Sequence, residues 1–338
     1  MTQTCTVLHL VDDTTAGGVT RVIDQMVAAA PLAACAHQRV LPVTRGRFGA
    51  LPKDVDIIVS HTAISWRTLP ALMALRATHP NVTLIHVEHS YTEGFVVHNV
   101  TRTRRFFGLL KIAFSLFDRV IAVSEAQADW MRRHELCSHK SLTTIPSWVD
   151  LSPFRDLTPP RGPIRTLGAI GRLDTQKGFD RLIAAFQSLP DPDLRLRIIG
   201  KGPQEKHLRQ LAGTDPRIVF AGFADTPTDA YADVDAVVMP SRWEAFGLVA
   251  TEALAAGRPV LCANVDGLRD HDPFGAQLIQ GPSARDLVLG LRRMLDTPYS
   301  PRPAQNLRHR EALSVRLWQD VFLASVADRT GALATAAE

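Results

Sequence analysis

The sequence predicts an α/β protein of two doubly wound parallel-sheet domains facing each other across a cleft. Three observations predict it. Each half holds six short β-rich runs, from "TVLHLV" (6–11) to "LTTIPSW" (142–148) in the first and from "RTLGAIGRL" (165–173) to "AQLIQ" (276–280) in the second. These runs are nearly continuous in apolar residues, as strands covered on both faces are, and helical stretches such as 18–29 and 67–77 lie between several of them. Between the halves, "WVDLSPFRDLTPPRGPI" (148–164) carries four prolines and no periodicity. The chain therefore divides into an N-terminal domain over 1–150, a linker over 151–164 and a C-terminal domain over 165–315. Residues 316–338 read as a C-terminal helix able to return to the N-terminal domain, ending in a frayed tail.

Composition sets outer bounds. A length of 338 residues suits about two domains, and 46% hydrophobic residues suffice for two cores. The net charge of +4 is compatible with anionic small molecules or an anionic membrane surface, and too weak to argue for a nucleic-acid partner. Cys5, Cys35, Cys137 and Cys262 have neither CxxC nor Cys/His ligand spacing, so they read as free thiols in a reducing cytosol. The N-terminus "MTQTCTVLHLVDD" lacks a basic start and reads as a strand, not a signal peptide. The longest apolar stretch, "FFGLLKIAFSLF" (106–117), contains Lys111 and is too short to span a bilayer. A cytoplasmic protein is expected.

Open α/β sheets bind ligands at the C-terminal ends of their strands, and several loops there carry unusual chemistry. In "GRLDTQKGFDRLIAAFQSL" (171–189), Phe179, Leu182, Ile183 and Phe186 set a helix beginning near Gly178. Arg172 and Lys177 then lie at the positive end of that helix, where two cations and free backbone N–H groups suit a diphosphate; the alternative is a solvated surface pair. In "MPSRWEAFGLVATEALAAGRPV" (239–260), a strand and a turn lead into a helix starting near Gly247. Glu244 sits at the mouth of the cleft, and Glu252 lies about one turn into an otherwise apolar helix. A carboxylate accepts well from a vicinal diol, so a ribose is one partner for Glu252; exposure on a thin polar stripe with Thr251 is the other reading. Gly17 and Gly18 occupy the first strand-to-helix turn, as a ligand approach or simply a tight turn. "IIGKGPQEKHL" (198–208) supplies GxG after a strand without a third glycine, so a dinucleotide fingerprint fails. His89 ends a strand inside the polar run Glu88–Gly94, which reads as a site loop, while His86 reads as structural.

Taken together, these motifs resemble retaining glycosyltransferases of the GT-B fold, glycosyltransferase family 4. "GRLDTQKG", "IIGKGP" and "MPSRWEAFGLVATEALAAGRPV" match its C-terminal domain, with Glu244 and Glu252 as the E-x7-E pair. "GGVTRVI", His89, "RVIAVSEAQADWM" and "TIPSWVD" match its N-terminal domain in order, so the resemblance covers roughly 5–327. It implies two Rossmann-like domains, the first on the acceptor side and the second binding a nucleotide-diphosphate sugar of UDP or GDP type. By this resemblance Arg172 and Lys177 bind the diphosphate and Glu252 the ribose. Glu244 faces the donor sugar, with Phe246, Gly247 and Leu248 near sugar and phosphate and Gly202 beside the donor. His89 reaches the sugar, and Gly17–Gly18 close over the phosphates. Two departures bear on sugar specificity: Ser147-Trp148 replaces the family's common Asn-Gly, and "NVDGLRDHD" (264–272) lacks its usual Gly-Gly and Glu pattern.

The resemblance also implies a retaining reaction. Attack comes on the face the leaving group departs from, and the diphosphate accepts the acceptor's proton. No cofactor or metal is expected. The D-x-D pairs Asp54/Asp56, Asp191/Asp193 and Asp233/Asp235 read as turn or strand-start residues, and Arg172 and Lys177 supply the positive charge. The acceptor would be a saccharide or a lipid-linked sugar, in building a surface polysaccharide or glycolipid. The basic, aromatic segment 101–119 reads either as a helix packed in the N-terminal domain or as a peripheral contact with the inner face of the cytoplasmic membrane. Other readings are a nucleotide-sugar epimerase, a sugar phosphorylase, or a non-catalytic partner subunit keeping the fold.

Overall fold

A computed structural model describes residues 5–15, 17–297 and 305–335. Twelve strands form two six-stranded parallel sheets. The first sheet holds β1 (Cys5–Val11), β2 (Ala36–Pro42), β3 (Ile57–Ser60), β4 (Thr83–Glu88), β5 (Arg119–Ala122) and β6 (Leu142–Thr144). The second holds β7 (Thr166–Ile170), β8 (Arg195–Ile199), β9 (Ile218–Gly222), β10 (Ala236–Met239), β11 (Val260–Cys262) and β12 (Gln277–Leu278). Their orders are β2-β1-β3-β4-β5-β6 and β12-β11-β10-β7-β8-β9. Each sheet thus starts at an inner strand, grows one way, then resumes on that strand's other side. The reversal falls between β1 and β3 in one sheet and between β7 and β10 in the other, and the crevice at such a reversal is where ligands of open α/β sheets bind.

The strands are apolar because flanking helices cover them. β3 and β10 are buried along their whole length, whereas the edge strand β9 alternates between half-buried and exposed. The first core gathers Leu8, Ile58, Ile85 and Ile121 with Phe114, Trp130 and Phe322; the second gathers Leu167, Leu196, Ile198 and Val237 with Leu182 and Phe186.

The chain forms two compact units. One comprises residues up to Tyr91, Asn99–Val149 and the stretch from Arg310 onward; the other comprises Thr92–His98 and Asp150–His309. The C-terminal helix Gln305–Thr335 supplies the last piece of the first unit, with Gln319 Nε2 donating to the Pro31 carbonyl at 3.0 Å. That helix reaches into the stretch expected to fray, whose residues 336–338 lie outside the described residues. The linker differs from expectation as well. Residues Ser152–Arg155 form a helical turn started by Asp150 Oδ1, which accepts from the Ser152 N–H at 2.8 Å, and Phe154 packs edge-on against Tyr231 with ring centres 5.3 Å apart. The proline content hid this turn because Pro153 sits near the helix start, where no N–H is needed.

Segment 101–119 forms the helix Thr103–Phe114, which buries Leu109, Leu110, Ala113 and Phe114. Of its apolar side chains only Ile112 is exposed, beside Lys111, while Arg102, Arg104 and Arg105 stand in solvent at its start. Among the described residues no helix is long and apolar enough to cross a membrane.

Candidate active site

The second sheet's reversal brings the loops after β7 and β10 side by side. After β7 the chain makes a 3-10 turn at Thr175–Lys177 and then enters the helix Phe179–Gln187, close to the start expected from periodicity. Gly178 joins the two at φ +66°, and a Cβ there would lie 2.2 Å from the Pro240 carbonyl oxygen, so only glycine lets the loops touch. Side chains then tie them. Arg242 holds Asp180 by two hydrogen bonds of 2.8 and 2.6 Å, its N–H donates to Gln176 O at 2.7 Å, and Gln176 Nε2 donates to Trp243 O at 3.1 Å. The result is a double loop held together by its own hydrogen bonds.

Within it, Lys177 Nζ meets Glu244 Oε2 at 2.5 Å, with side chains only 18% and 13% exposed. The diphosphate cation and the sugar-facing carboxylate of the sequence reading are thus partners of one another. Arg172 is more open: its side chain is 68% exposed, with Nε on Asp174 Oδ2 at 2.6 Å. Gly202 is there for close approach, since a Cβ would lie 2.4 Å from the Leu173 carbonyl oxygen, in the same loop as Arg172. Gly247 caps the helix Leu248–Ala255, and Phe246, directly before it, is buried with its carbonyl accepting from His271 Nε2 at 2.8 Å.

Glu252 lies on that helix and is 2% exposed, which removes the polar-stripe alternative. Its burial is supported by Tyr231, whose hydroxyl donates to Glu252 Oε2 at 2.6 Å. Tyr231 has no motif to announce it. Asp266 was also missed, although its loop was noted as a departure. It adopts φ +39°, unusual for a non-glycine, and is buried. Its carboxylate accepts from Thr92 Oγ1 at 2.8 Å, Gly94 N at 3.0 Å and Glu244 N at 3.2 Å. Burial pushes its pKa up, opposed by these donors. An Asp-Gly pair is a turn signal, and that was the trace available in the sequence.

In the first unit, Gly17 precedes the helix Gly18–Ala28 and both glycines are exposed; the adjoining residue 16 lies outside the described residues. The polar run is divided: Glu88 Oε1 accepts from Ser90 N and Tyr91 N at 2.8 and 2.9 Å, while Thr92 and Gly94 bind Asp266. His86 is buried between the Phe114 and Phe117 rings, a structural placement. His89 follows β4 and its Nε2 lies 2.8 Å from His61 Nδ1. Trp148 is buried beside a pocket of about 10 Å³, also lined by His61 and His89. One aspartate of each D-x-D pair holds a strand or turn start: Asp56 accepts from Thr6 N, Asp191 from Asp193 N, and Asp235 from Arg165 N and Thr166 N.

Comparison with known proteins shows the family. Residues 16–153 match the family model described as Glycosyltransferase Family 4, and residues 164–297 match Glycosyl transferases group 1. A D-inositol 3-phosphate glycosyltransferase of Arthrobacter sp. (strain FB24) is 33% identical over 287 residues, covering 78% of this chain and 67% of that protein. The chain belongs to glycosyltransferase family 4. An MMP alpha-(1->4)-mannosyltransferase of Mycolicibacterium hassiacum is 28% identical to this family 4 chain over 248 residues, 69% of this chain and 60% of the relative. The family 4 chain spans between a third and two thirds of the length of these curated relatives, 33% in the case of an uncharacterized glycosyltransferase of Methanocaldococcus jannaschii. Among solved structures, sucrose-phosphate synthase from Thermosynechococcus elongatus superposes with TM-score 0.72 at 20% identity, covering 98% of this chain and 100% of that one. Anabaena HepE in complex with UDP and glucose gives 0.66 at 18% identity, covering 98% and 99%. These likenesses establish the GT-B fold for this family 4 member.

Proposed function

We propose that this chain transfers a sugar, with retention of anomeric configuration, from a UDP- or GDP-type nucleotide sugar to a saccharide or lipid-linked acceptor of a surface polysaccharide or glycolipid. The observation that carries the proposal is the Lys177–Glu244 pair at the sheet reversal, with Glu252 buried on the following helix. A diphosphate offers Lys177 a more highly charged partner than one carboxylate. On that exchange Glu244 is released toward the sugar, and Arg172 supplies a second cation. Glu252, oriented by Tyr231, accepts from ribose hydroxyls, and His89 contacts a hydroxyl of the sugar. The bond from the anomeric carbon to the diphosphate breaks as the acceptor oxygen bonds on the same face, and the acceptor's proton passes to a diphosphate oxygen. The two cations stabilise the charge that develops there, so the reaction needs no metal or cofactor.

The relatives quoted above are transferases and a synthase, and the HepE structure holds UDP and glucose, which supports this reading over an epimerase, a phosphorylase or a non-catalytic subunit. The test is transfer from a panel of nucleotide sugars in the presence of EDTA, with the product anomer read by NMR. A product of the donor's configuration is expected; the opposite anomer, or activity lost to EDTA, would refute the corresponding part.

We propose further that the protein works beside a membrane. Because most apolar side chains of 103–114 are buried, the contact is electrostatic, through Arg102, Arg104, Arg105 and Lys111. Liposome co-sedimentation should require anionic lipid and weaken as salt rises. Equal recovery with neutral vesicles would rule this out.

A further inference from the structure

His9, His61 and His89 form a row in the first unit. His9 Nδ1 lies 3.0 Å from His61 Nε2, and His61 Nδ1 lies 2.8 Å from His89 Nε2, with neighbouring rings roughly parallel at 26° and 25°. At the inner end His9 Nε2 lies 3.1 Å from Gln38 Oε1. Geometry alone leaves open which nitrogen of each ring carries hydrogen.

Gln38 settles it. Its Nε2 donates to the Met26 carbonyl at 2.8 Å, and a carbonyl only accepts, so the amide cannot be flipped without setting two oxygens against each other. Gln38 Oε1 therefore faces His9, and His9 Nε2 must carry the hydrogen. Burial holds His9 and His89 at a pKa of about 4 and pushes His61 well below its ordinary value, so at neutral pH all three rings are neutral with one hydrogen each. His9 Nδ1 is then a lone pair, which requires His61 Nε2–H. His61 Nδ1 is in turn a lone pair, which requires His89 Nε2–H.

We infer that Gln38, His9 and His61 act as a proton-ordered row that fixes His89 in its Nε2–H tautomer and leaves His89 Nδ1 as a hydrogen-bond acceptor. Nδ1 is the one ring nitrogen of the three that lies outside the row. A lone pair there takes a hydroxyl hydrogen and turns away an ionised carboxylate or phosphate oxygen, which has no hydrogen to give. His9 and His61 are thus positioning residues for a hydroxyl-bearing ligand. That ligand's identification as the donor sugar rests on the functional reading above; the tautomer itself does not.

Long-range ¹H–¹⁵N correlation on the full chain labelled with ¹⁵N-histidine at neutral pH reads each tautomer directly, with signals assigned through single histidine variants. All three rings should appear as Nε2–H, and a wild-type His89 carrying its hydrogen on Nδ1 would overturn the inference. Gln38→Met removes the acceptor that starts the ordering, so both tautomers should appear at His89. Transfer efficiency should then fall roughly three- to tenfold, the worth of one neutral hydrogen bond. If Gln38→Met leaves the His89 signals unchanged, the row does not order His89, whatever happens to activity. Full transfer by His89→Ala, with the wild-type tautomer as stated, would sink the sugar contact while leaving the ordered row standing.

Discussion

Lys177→Ala is expected to lower affinity for a nucleoside diphosphate on the order of a hundredfold. Two effects add. The variant loses a charge-assisted contact to the diphosphate. It also leaves the Glu244 carboxylate, 13% exposed and now without its 2.5 Å ammonium partner, beside the incoming phosphates. The second effect separates from the first in a double-mutant cycle. Adding Glu244→Gln to Lys177→Ala should recover part of the lost affinity by removing the unpaired charge. Calorimetry with UDP and GDP in EDTA decides the matter. Unchanged affinity in Lys177→Ala would remove the loop after β7 from the diphosphate site, and an unrecovered double variant would mean the carboxylate is not felt there.

Glu252→Gln and Glu244→Gln should fail in different ways. Glu252 keeps its size as glutamine and can still accept from Tyr231, but without the charge that strengthens bonds to ribose hydroxyls. Such bonds contribute roughly 1.5–3 kcal/mol, so nucleotide affinity should fall about ten- to a hundredfold. Glu244→Gln instead frees Lys177 from its ion pair, so bare nucleotide should bind as well as before or better. Its defect should appear in turnover, where the sugar is present. Calorimetry with nucleoside diphosphate and a transfer assay on both variants test the division. Equal weakening of bare nucleotide by both, or full turnover in Glu244→Gln, would show that the two glutamates do not divide the donor as proposed.

What could be read in the sequence was whatever repeats along the chain. Strand runs and helix starts near Gly178 and Gly247 follow from local patterning, and the loops that carry Arg172, Lys177 and Glu244 follow from those starts. What could not be read were partnerships between residues far apart. Tyr231 is 21 residues from Glu252, and Asp266 is 174 from Thr92, with no spacing rule to link either pair. The Lys177–Glu244 pair illustrates the same limit, since each residue was found separately and their contact was not foreseen. In the histidine row, His89 was found because it ends a strand. His9 and His61 lie 80 and 28 residues earlier and join it through β1 and the end of β3. The helical turn Ser152–Arg155 within the linker was not foreseen for a local reason: prolines break a helix inside it but begin one readily.

The placement of the C-terminal helix has a consequence for how the protein is made. Ribosomes release a chain from its N-terminus at about 5–20 residues per second. Most of the first unit is translated before the second, yet it is finished by the stretch from Arg310 onward, which is translated after the second. Trp318 of that stretch lines the same pocket as Val22 and Met26, and Phe322 is fully buried. During synthesis these apolar partners wait uncovered while the whole of Asp150–His309 is translated. The later-coded unit therefore has its full sequence available first, and the nascent sheet of the first unit needs protection from aggregation until the stretch from Arg310 onward has emerged.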